Sequence, residues 1–283
     1  LEEIKLKIRS NYYFSTPLIL KKIYTLSNEV LGHGGNSVVF KCQSNLRDDN
    51  LAIKILTRTD TTSKRRFLQE AQILDEVSHD HLMPIIDHGE IELKQNDESI
   101  FQPYIIMECC EETLSKYLYN KWRELRYSNY INQFRGLASA LQELHKKALH
   151  RDIKPENILI KNGKWILSDL GLATLIDQNQ KLDLTNIGEK IGPIHWMSPE
   201  QCHIYLGNNC KIQAQSDVFQ LASIFWAVVN FKHPKGIIIN EDWTNSNHEL
   251  KNVLIKALQH EPDRRYADGR EFFLDLVKAI ETG

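Results

Sequence analysis

The sequence predicts an α+β chain of two lobes, a small β-rich N-terminal lobe with one helix and a larger, mostly helical C-terminal lobe. Three observations carry this expectation. Hydrophobic periodicity changes from alternating to helical near residue 112. A glycine cluster at residues 32–35 interrupts an alternating stretch near the start, as a turn between two strands does. A chain of 283 residues is long for one small domain and suits two lobes around a sizeable core. The whole chain is read as one domain, 1–283, with lobes over about 1–108 and 113–283 and a junction over about 108–112.

The elements follow in order. Residues 24–41 alternate apolar and polar side chains around the glycines and predict two strands and a turn. Residues 51–56 predict a short strand. In residues 63–77, Phe67, Ala71, Leu74 and Val77 recur at helical spacing between charges. Residues 104–107 are an apolar, β-rich run and predict another strand. Beyond residue 112, helical periodicity runs through 113–119, 130–147, 216–229, 250–259 and 272–280. Two short strands, at 158–160 and 166–168, flank the turn Asn162-Gly163-Lys164. Residues 174–192 are polar and without period; a loop that long inside a compact domain is usually functional or mobile.

Composition excludes several classes. With 35 Lys and Arg against 37 Asp and Glu, the net charge of -2 suggests neither a nucleic-acid partner nor a polybasic membrane surface. Cys42, Cys109, Cys110, Cys202 and Cys210 show no metal-binding spacing and read as free thiols in a reducing compartment. The given sequence reads without a secretory signal, so none is expected within it, and its longest apolar run, residues 221–229, is too short to span a bilayer. The chain begins at Leu1, which fits a domain cut from a longer protein. The expectation is a cytoplasmic protein, or the cytosolic domain of a longer one, without membrane insertion in this chain. No oligomeric state follows.

The chemistry concentrates in the octapeptide His150-Arg151-Asp152-Ile153-Lys154-Pro155-Glu156-Asn157. One short loop carries a carboxylate, two cations and a carboxamide, the groups that phosphoryl transfer needs to orient a hydroxyl, meet a phosphate and hold magnesium. Asp169-Leu170-Gly171 follows just after the predicted hairpin. Upstream stand the glycine-rich run 31–39 and Leu51-Ala52-Ile53-Lys54; downstream stands the run 192–200, ending Met197-Ser198-Pro199-Glu200. Any one of these motifs also reads as an ordinary turn or a solvated charge. As an ordered set over about residues 26–276, the sequence resembles the catalytic domain of a eukaryotic-type (Hanks-type) protein kinase of the serine/threonine subtype.

That resemblance implies a bilobal kinase fold, the cofactors ATP and Mg2+, and a protein substrate. Residue by residue, it makes Asp152 the group that orients the acceptor hydroxyl and takes its proton, and Lys154 the cation on the transferring phosphate. Lys54 would pair with ATP phosphates while held by Glu70, and Asn157 and Asp169 would bind magnesium. Leu31, Gly32, Gly34 and Ser37 would form the phosphate-covering loop. Val39, Ala52 and Leu159 would sandwich adenine, Met107 would be the gatekeeper, and the backbone of Glu108 to Cys110 would meet the adenine edge. Leu74, Ile85, His150 and Leu170 would form an apolar column. Glu200 would pair with Arg265, and Asp217 would brace the catalytic loop.

Some positions depart from the family pattern. Ser37 stands where a third glycine is usual, Leu170 where Phe is commoner, and Ser198 where Ala is usual. Lys154 and Pro155 resemble serine/threonine enzymes, whereas Pro193 and Trp196 resemble tyrosine kinases. Lys154 weighs more, because it would touch the reacting phosphate. Thr174 and Thr185 are candidate phosphosites, because a phosphate near Arg151 would order the loop. Glu189 falls near the usual phosphosite, where a fixed carboxylate could partly replace a phosphate. The rival readings are a non-catalytic scaffold of the same fold and a dual-specificity or tyrosine kinase. A small-molecule kinase fits the Ser-Pro-Glu segment poorly.

Overall fold

The computed structural model describes residues 4–8, 12–16, 19–20, 23–46, 50–95, 98–176, 194–234 and 240–283. The chain divides into two compact units, Leu1–Glu76 with Met83–Cys109, and Val77–Leu82 with Cys110–Gly283. The predicted α+β class holds, with strands concentrated in the first unit and helices in the second.

The first unit is built on an antiparallel sheet. Its described strands are β1 (Ile4–Ile8), β2 (Tyr12–Thr16), β3 (Ile19–Leu20), β4 (Tyr24–His33), β5 (Ser37–Ser44), β6 (Asn50–Leu56), β7 (Ile85–Gln95) and β8 (Glu98–Glu108), in the order β1-β2-β7-β8-β6-β5-β4-β3. Strand β6 lies inside the sheet, and all of it beyond Asn50 is buried. Because side chains alternate along a strand, Leu51, Ile53 and Ile55 point one way and Ala52, Lys54 and Leu56 the other. The first set joins Phe40, Cys42, Tyr104 and Ile106 in the main core of the unit. On the other face, Leu56 and Ile105 pack against Phe67 and Ala71 of helix α1 (Thr61–Glu76). Asp60 starts this helix by accepting from the Ser63 N–H at 2.9 Å.

The strands around the glycines, 51–56 and 104–107 form where expected, with β8 longer than its apolar signal. Strand β7 was not anticipated. Asp87, His88, Glu90 and Glu92 break up its apolar pattern, but Ile91 and Leu93 are buried in alternation, and pairing with β8 holds the rest.

The second unit contains β9 (Glu112–Thr113), α2 (Leu114–Lys121), α3 (Tyr127–Leu144), β10 (Ala148–Leu149), β11 (Ile158–Lys161), β12 (Lys164–Leu167), β13 (Thr174–Leu175), α4 (Pro199–Tyr205), α5 (Ala214–Asn230), α6 (His248–Ala257) and α7 (Gly269–Thr282). Helix α5 is buried almost throughout, as its apolar run requires. Phe134 of α3 stacks on Phe225 of α5 at 3.9 Å between ring centroids, and Phe225 in turn faces Phe272 of α7. The β11–β12 hairpin turns at Asn162 and Gly163, with φ of 50° and 75°. Positive φ at both central residues is the mirror-image turn that suits twisted hairpins and favours Asn-Gly. Among the described residues, no helix is long and apolar enough to cross a membrane.

Helix α7 begins against the backbone of α3. A Cβ on Gly269 would lie 2.8 Å from the Leu141 carbonyl carbon, and that backbone cannot step aside. We expect Gly269→Ala to destabilise the second unit by about 1–3 kcal/mol, measured by denaturant unfolding. An unchanged midpoint would show that α7 can shift freely.

Candidate active site

In the first unit, the pleat of β6 and the register of the sheet place Lys54 on the face that α1 covers. Lys54 pairs with Val39 on one side and Ile105 on the other. Its Nζ donates to Glu70 Oε1 and Oε2, both at 2.8 Å, and both residues are buried. The Phe67 ring lies 5.7 Å beneath the ammonium. A buried cation and carboxylate satisfy each other here, so neither is a solvated surface charge. Ala52 is buried opposite half-buried Met107.

The glycine-rich turn joins β4 to β5. Gly34 N–H donates to Ser37 O at 2.9 Å, and a Cβ at residue 34 would meet Ser37 Oγ at 2.9 Å. Ser37, which replaces the expected glycine, is therefore a buried partner of the turn. Gly32, paired with Val39, has open space where a Cβ would stand, and Leu31 is exposed. Glu108 pairs with Leu51, and the Cys109 N–H is taken by Asn50 O at 3.0 Å. Cys42 lies in the core, where burial pushes its thiol up to about 12, which makes it inert.

In the second unit, the loop after β10 gathers Asp152, Lys154 and Asn157. Lys154 Nζ donates to Asp152 Oδ2 at 2.6 Å, and Asn157 Nδ2 donates to the same oxygen at 2.9 Å and to Asp152 O at 2.8 Å. Asp152 is buried, and that burial lifts its carboxyl above the ordinary aspartate range despite the Lys154 ammonium. Leu159 follows in β11, half-buried between the buried Ile158 and Ile160. Ser168 ties the hairpin to the loop: its N–H and its hydroxyl both donate to Asn157 O, at 2.8 and 2.9 Å. Asp169 is next, exposed and with φ of 61°, while Leu170 is buried.

Asp152 and Asp169 interact electrostatically, and Asn157 touches Asp152. The Asp169 carboxylate and the Asn157 carboxamide oxygen are hard donors of the kind that magnesium takes. Among the described residues, no group of three or more His, Cys, Asp or Glu is placed to hold a metal ion.

The loop is held from beneath by α5. Asp217, wholly buried, accepts from His150 N–H and Arg151 N–H, each at 2.7 Å. Burial raises its carboxyl, but the His145 hydrogen bond and the backbone donors outweigh that and hold it below the ordinary range. Sequence reasoning found Asp217 and missed three of its companions. His145 Nδ1 accepts from Gly269 N–H at 2.9 Å, so its proton sits on Nε2 and is donated to Asp217 Oδ2 at 3.0 Å. Gln220 Oε1 accepts from Ile153 N–H, and Gln201 Nε2 donates to Arg151 O at 2.8 Å. His145 and Gln220 show in the sequence as polar letters inside helical runs, whereas Gln201 lies in a stretch with no helical period and had no signal. Arg151 has φ of 70°, a left-handed conformation that costs a non-glycine residue about 1–2 kcal/mol.

Glu200, in the first turn of α4, meets Arg265 as expected. Arg265 Nη1 and Nη2 donate to the two carboxylate oxygens at 2.8 and 2.9 Å, and its other donors reach the carbonyls of Gln215, Gln259 and His260. Ser216 Oγ adds a bond to Glu200. Thr174 lies in β13 opposite Leu149. Gly192, Pro193, Thr185 and Glu189 lie outside the described residues.

A β-sheet unit with one packed helix, and a helical unit carrying this loop and turn, is the architecture of a protein kinase. The family model described as "Protein kinase domain" matches residues 25–280. Similar relatives include the probable serine/threonine-protein kinase PknB of Lactococcus lactis, 28% identical over 90% of this chain and 41% of that protein. The serine/threonine-protein kinase PrkC of Bacillus subtilis is 27% identical over 89% of this chain and 40% of its own length. The lectin-domain containing receptor kinase VI.3 of Arabidopsis thaliana is 30% identical over 89% of this chain and 36% of its own. The chain therefore spans about two fifths of the length of the relatives it matches. It belongs to the protein kinase domain family, in the Hanks-type serine/threonine branch.

The Glu200 and Asp217 carboxyls both sit below their ordinary range. For Glu200, burial raises the carboxyl, but the Arg265 bonds outweigh it. Ionisation therefore favours the folded state: the stability is present above the unfolded carboxylate range, near about 4, and is lost as pH falls through the folded values. We expect the melting temperature to fall on acidification in that window. Glu200→Ala, which strands a buried guanidinium, should cost about 3–5 kcal/mol at neutral pH and flatten the acid response. Calorimetry across pH reads both effects.

Proposed function

We propose that this domain transfers the γ-phosphoryl group of ATP, with magnesium, to serine and threonine hydroxyls of protein substrates. The observation that carries the reading is the Asp152 carboxylate, buried and held through Oδ2 by Lys154 and Asn157. Held by that oxygen, the carboxylate has its other oxygen, Oδ1, to orient the acceptor hydroxyl and take its proton. Its raised proton affinity suits a general base. Lys154, beside it, would neutralise charge on the transferring phosphate.

Asn157 and Asp169 would hold magnesium, which supplies charge neutralisation to the phosphates when bound. Lys54, fixed by Glu70, would meet phosphate oxygens, and the backbone of Gly32, Gly34 and Ser37 would cover them. Val39, Ala52, Met107 and Leu159 would shape the adenine pocket, with the Glu108 carbonyl and the Cys110 amide at the adenine edge. The Cys109 amide is already bonded to Asn50, which supports assigning its neighbours to that role. The full set Lys54, Glu70, Asp152, Asn157 and Asp169 favours an enzyme over a scaffold. Lys154 supports serine and threonine as acceptors.

The test is incubation with magnesium and ATP beside Asp152→Asn, with phosphosites mapped by mass spectrometry. Transfer should fall by about 10²–10⁴-fold in the variant. The folded state disfavours the charged form of Asp152, so ionisation at neutral pH costs stability and the neutral amide removes that cost. The variant should thus melt no lower than the wild type. A wild type that binds ATP but transfers nothing would instead support a scaffold, and phosphotyrosine alone would overturn the acceptor assignment.

A further inference from the structure

Arg151 immediately precedes the proposed base, and both of its backbone polar groups are gripped by side chains. Its N–H goes to Asp217 Oδ1 on α5 at 2.7 Å, and its carbonyl accepts from Gln201 Nε2 on α4 at 2.8 Å. Between these grips the residue holds a φ of 70°, which an arginine does not adopt unaided. The conformation has to be imposed, and two opposed hydrogen bonds on one peptide residue impose it.

Gln201 is wholly buried, and both ends of its amide are used. Oε1 accepts from Ser198 N–H at 2.9 Å, completing the cap of α4, and Nε2 donates to Arg151 O. An acceptor facing an N–H and a donor facing a C=O leave one orientation for the amide. The same side chain therefore ends the Ser-Pro-Glu segment and fixes the carbonyl that sets the direction of the chain into Asp152. Ser198 is buried too, and Pro199 opens the helix, so the cap has little freedom to move.

We propose that Gln201 is a positioning residue for phosphoryl transfer, one that locks Arg151 in its left-handed conformation and so aims the Asp152 carboxylate. It touches neither nucleotide nor acceptor in this scheme; it acts through the Arg151 peptide. The inference rests on the kinase reading above. It adds a residue outside the His150–Asn157 loop to the machinery of the reaction, and links the α4 cap to the base by one amide.

Two variants separate positioning from simple support of the fold. Gln201→Met keeps the length and loses both hydrogen bonds. Gln201→Glu still accepts from Ser198 N–H, but it donates to Arg151 O only while its carboxyl is protonated. We expect Gln201→Met to lower kcat about tenfold, the worth of one such bond in the transition state, with KM for ATP unchanged. Relative to wild type at each pH, Gln201→Glu should match wild type in mild acid and lose kcat as pH rises and its carboxyl ionises. A purely structural role predicts no such titration. A pH-independent ratio for Gln201→Glu, or wild-type kcat in a folded Gln201→Met, overturns the proposal. If Gln201→Met fails to fold, the Gln201→Glu profile decides alone. A wild type that binds ATP but transfers no phosphate overturns the kinase reading and this inference with it.

Discussion

The catalytic loop depends on one buried charge. Asp217 sits wholly inside the second unit, where an unpaired carboxylate would be very costly. It is tolerated because His145, His150 and Arg151 all donate to it. The need runs both ways, since the buried carboxylate is the acceptor that the His150 and Arg151 amides take at a bend outside any strand or helix. One carboxylate thus satisfies two backbone groups, and a histidine with its tautomer fixed by Gly269 satisfies the carboxylate. The start of α7 thereby reaches the loop through two side chains.

The two units use the same physical device for different ends. In the first, Lys54 and Glu70 neutralise each other across a sheet–helix contact, which keeps a long cation from wandering. In the second, Glu200 and Arg265 do so with every guanidinium donor engaged, and there the pair is architectural. Asp152 is the contrast. It is buried with a cation and an amide, yet its ionised form remains disfavoured. That imbalance is what the proposed role of proton acceptor would use.

Much of this was legible in the sequence, for identifiable reasons. Strand β6 could be read because Leu51, Ile53 and Ile55 alternate with Ala52 and Lys54, and α5 because its apolar run is unbroken. The Asn162-Gly163 turn announces its own geometry, since those letters tolerate positive φ. Lys54 with Glu70, and Glu200 with Arg265, were found by family order, since nothing local links residues 16 and 65 positions apart. Strand β7 escaped because its stability lies in pairing with β8 and in only two fully buried apolar side chains, Ile91 and Leu93. Gln201 and Gln220 escaped because each acts on a backbone atom of a distant residue, and backbone partners leave no trace in side-chain patterns; His145 escaped because its partners, the Asp217 carboxylate and the Gly269 N–H, lie 72 and 124 positions away.

The grips on residues 150–153 come from 50 to 67 positions further along the chain. A nascent chain leaving the ribosome therefore presents the His150–Asn157 loop well before α4 and α5 exist to hold it. Until residue 220 has emerged, the His150, Arg151 and Ile153 amides have only water to bond, and Arg151 has no reason to stay left-handed. The first unit, whose described segments end at Cys109, can close on its own core much earlier. Order of synthesis thus separates assembly of the Lys54–Glu70 pair from assembly of the Asp152 loop, and a chain halted short of α5 would carry the first without the second.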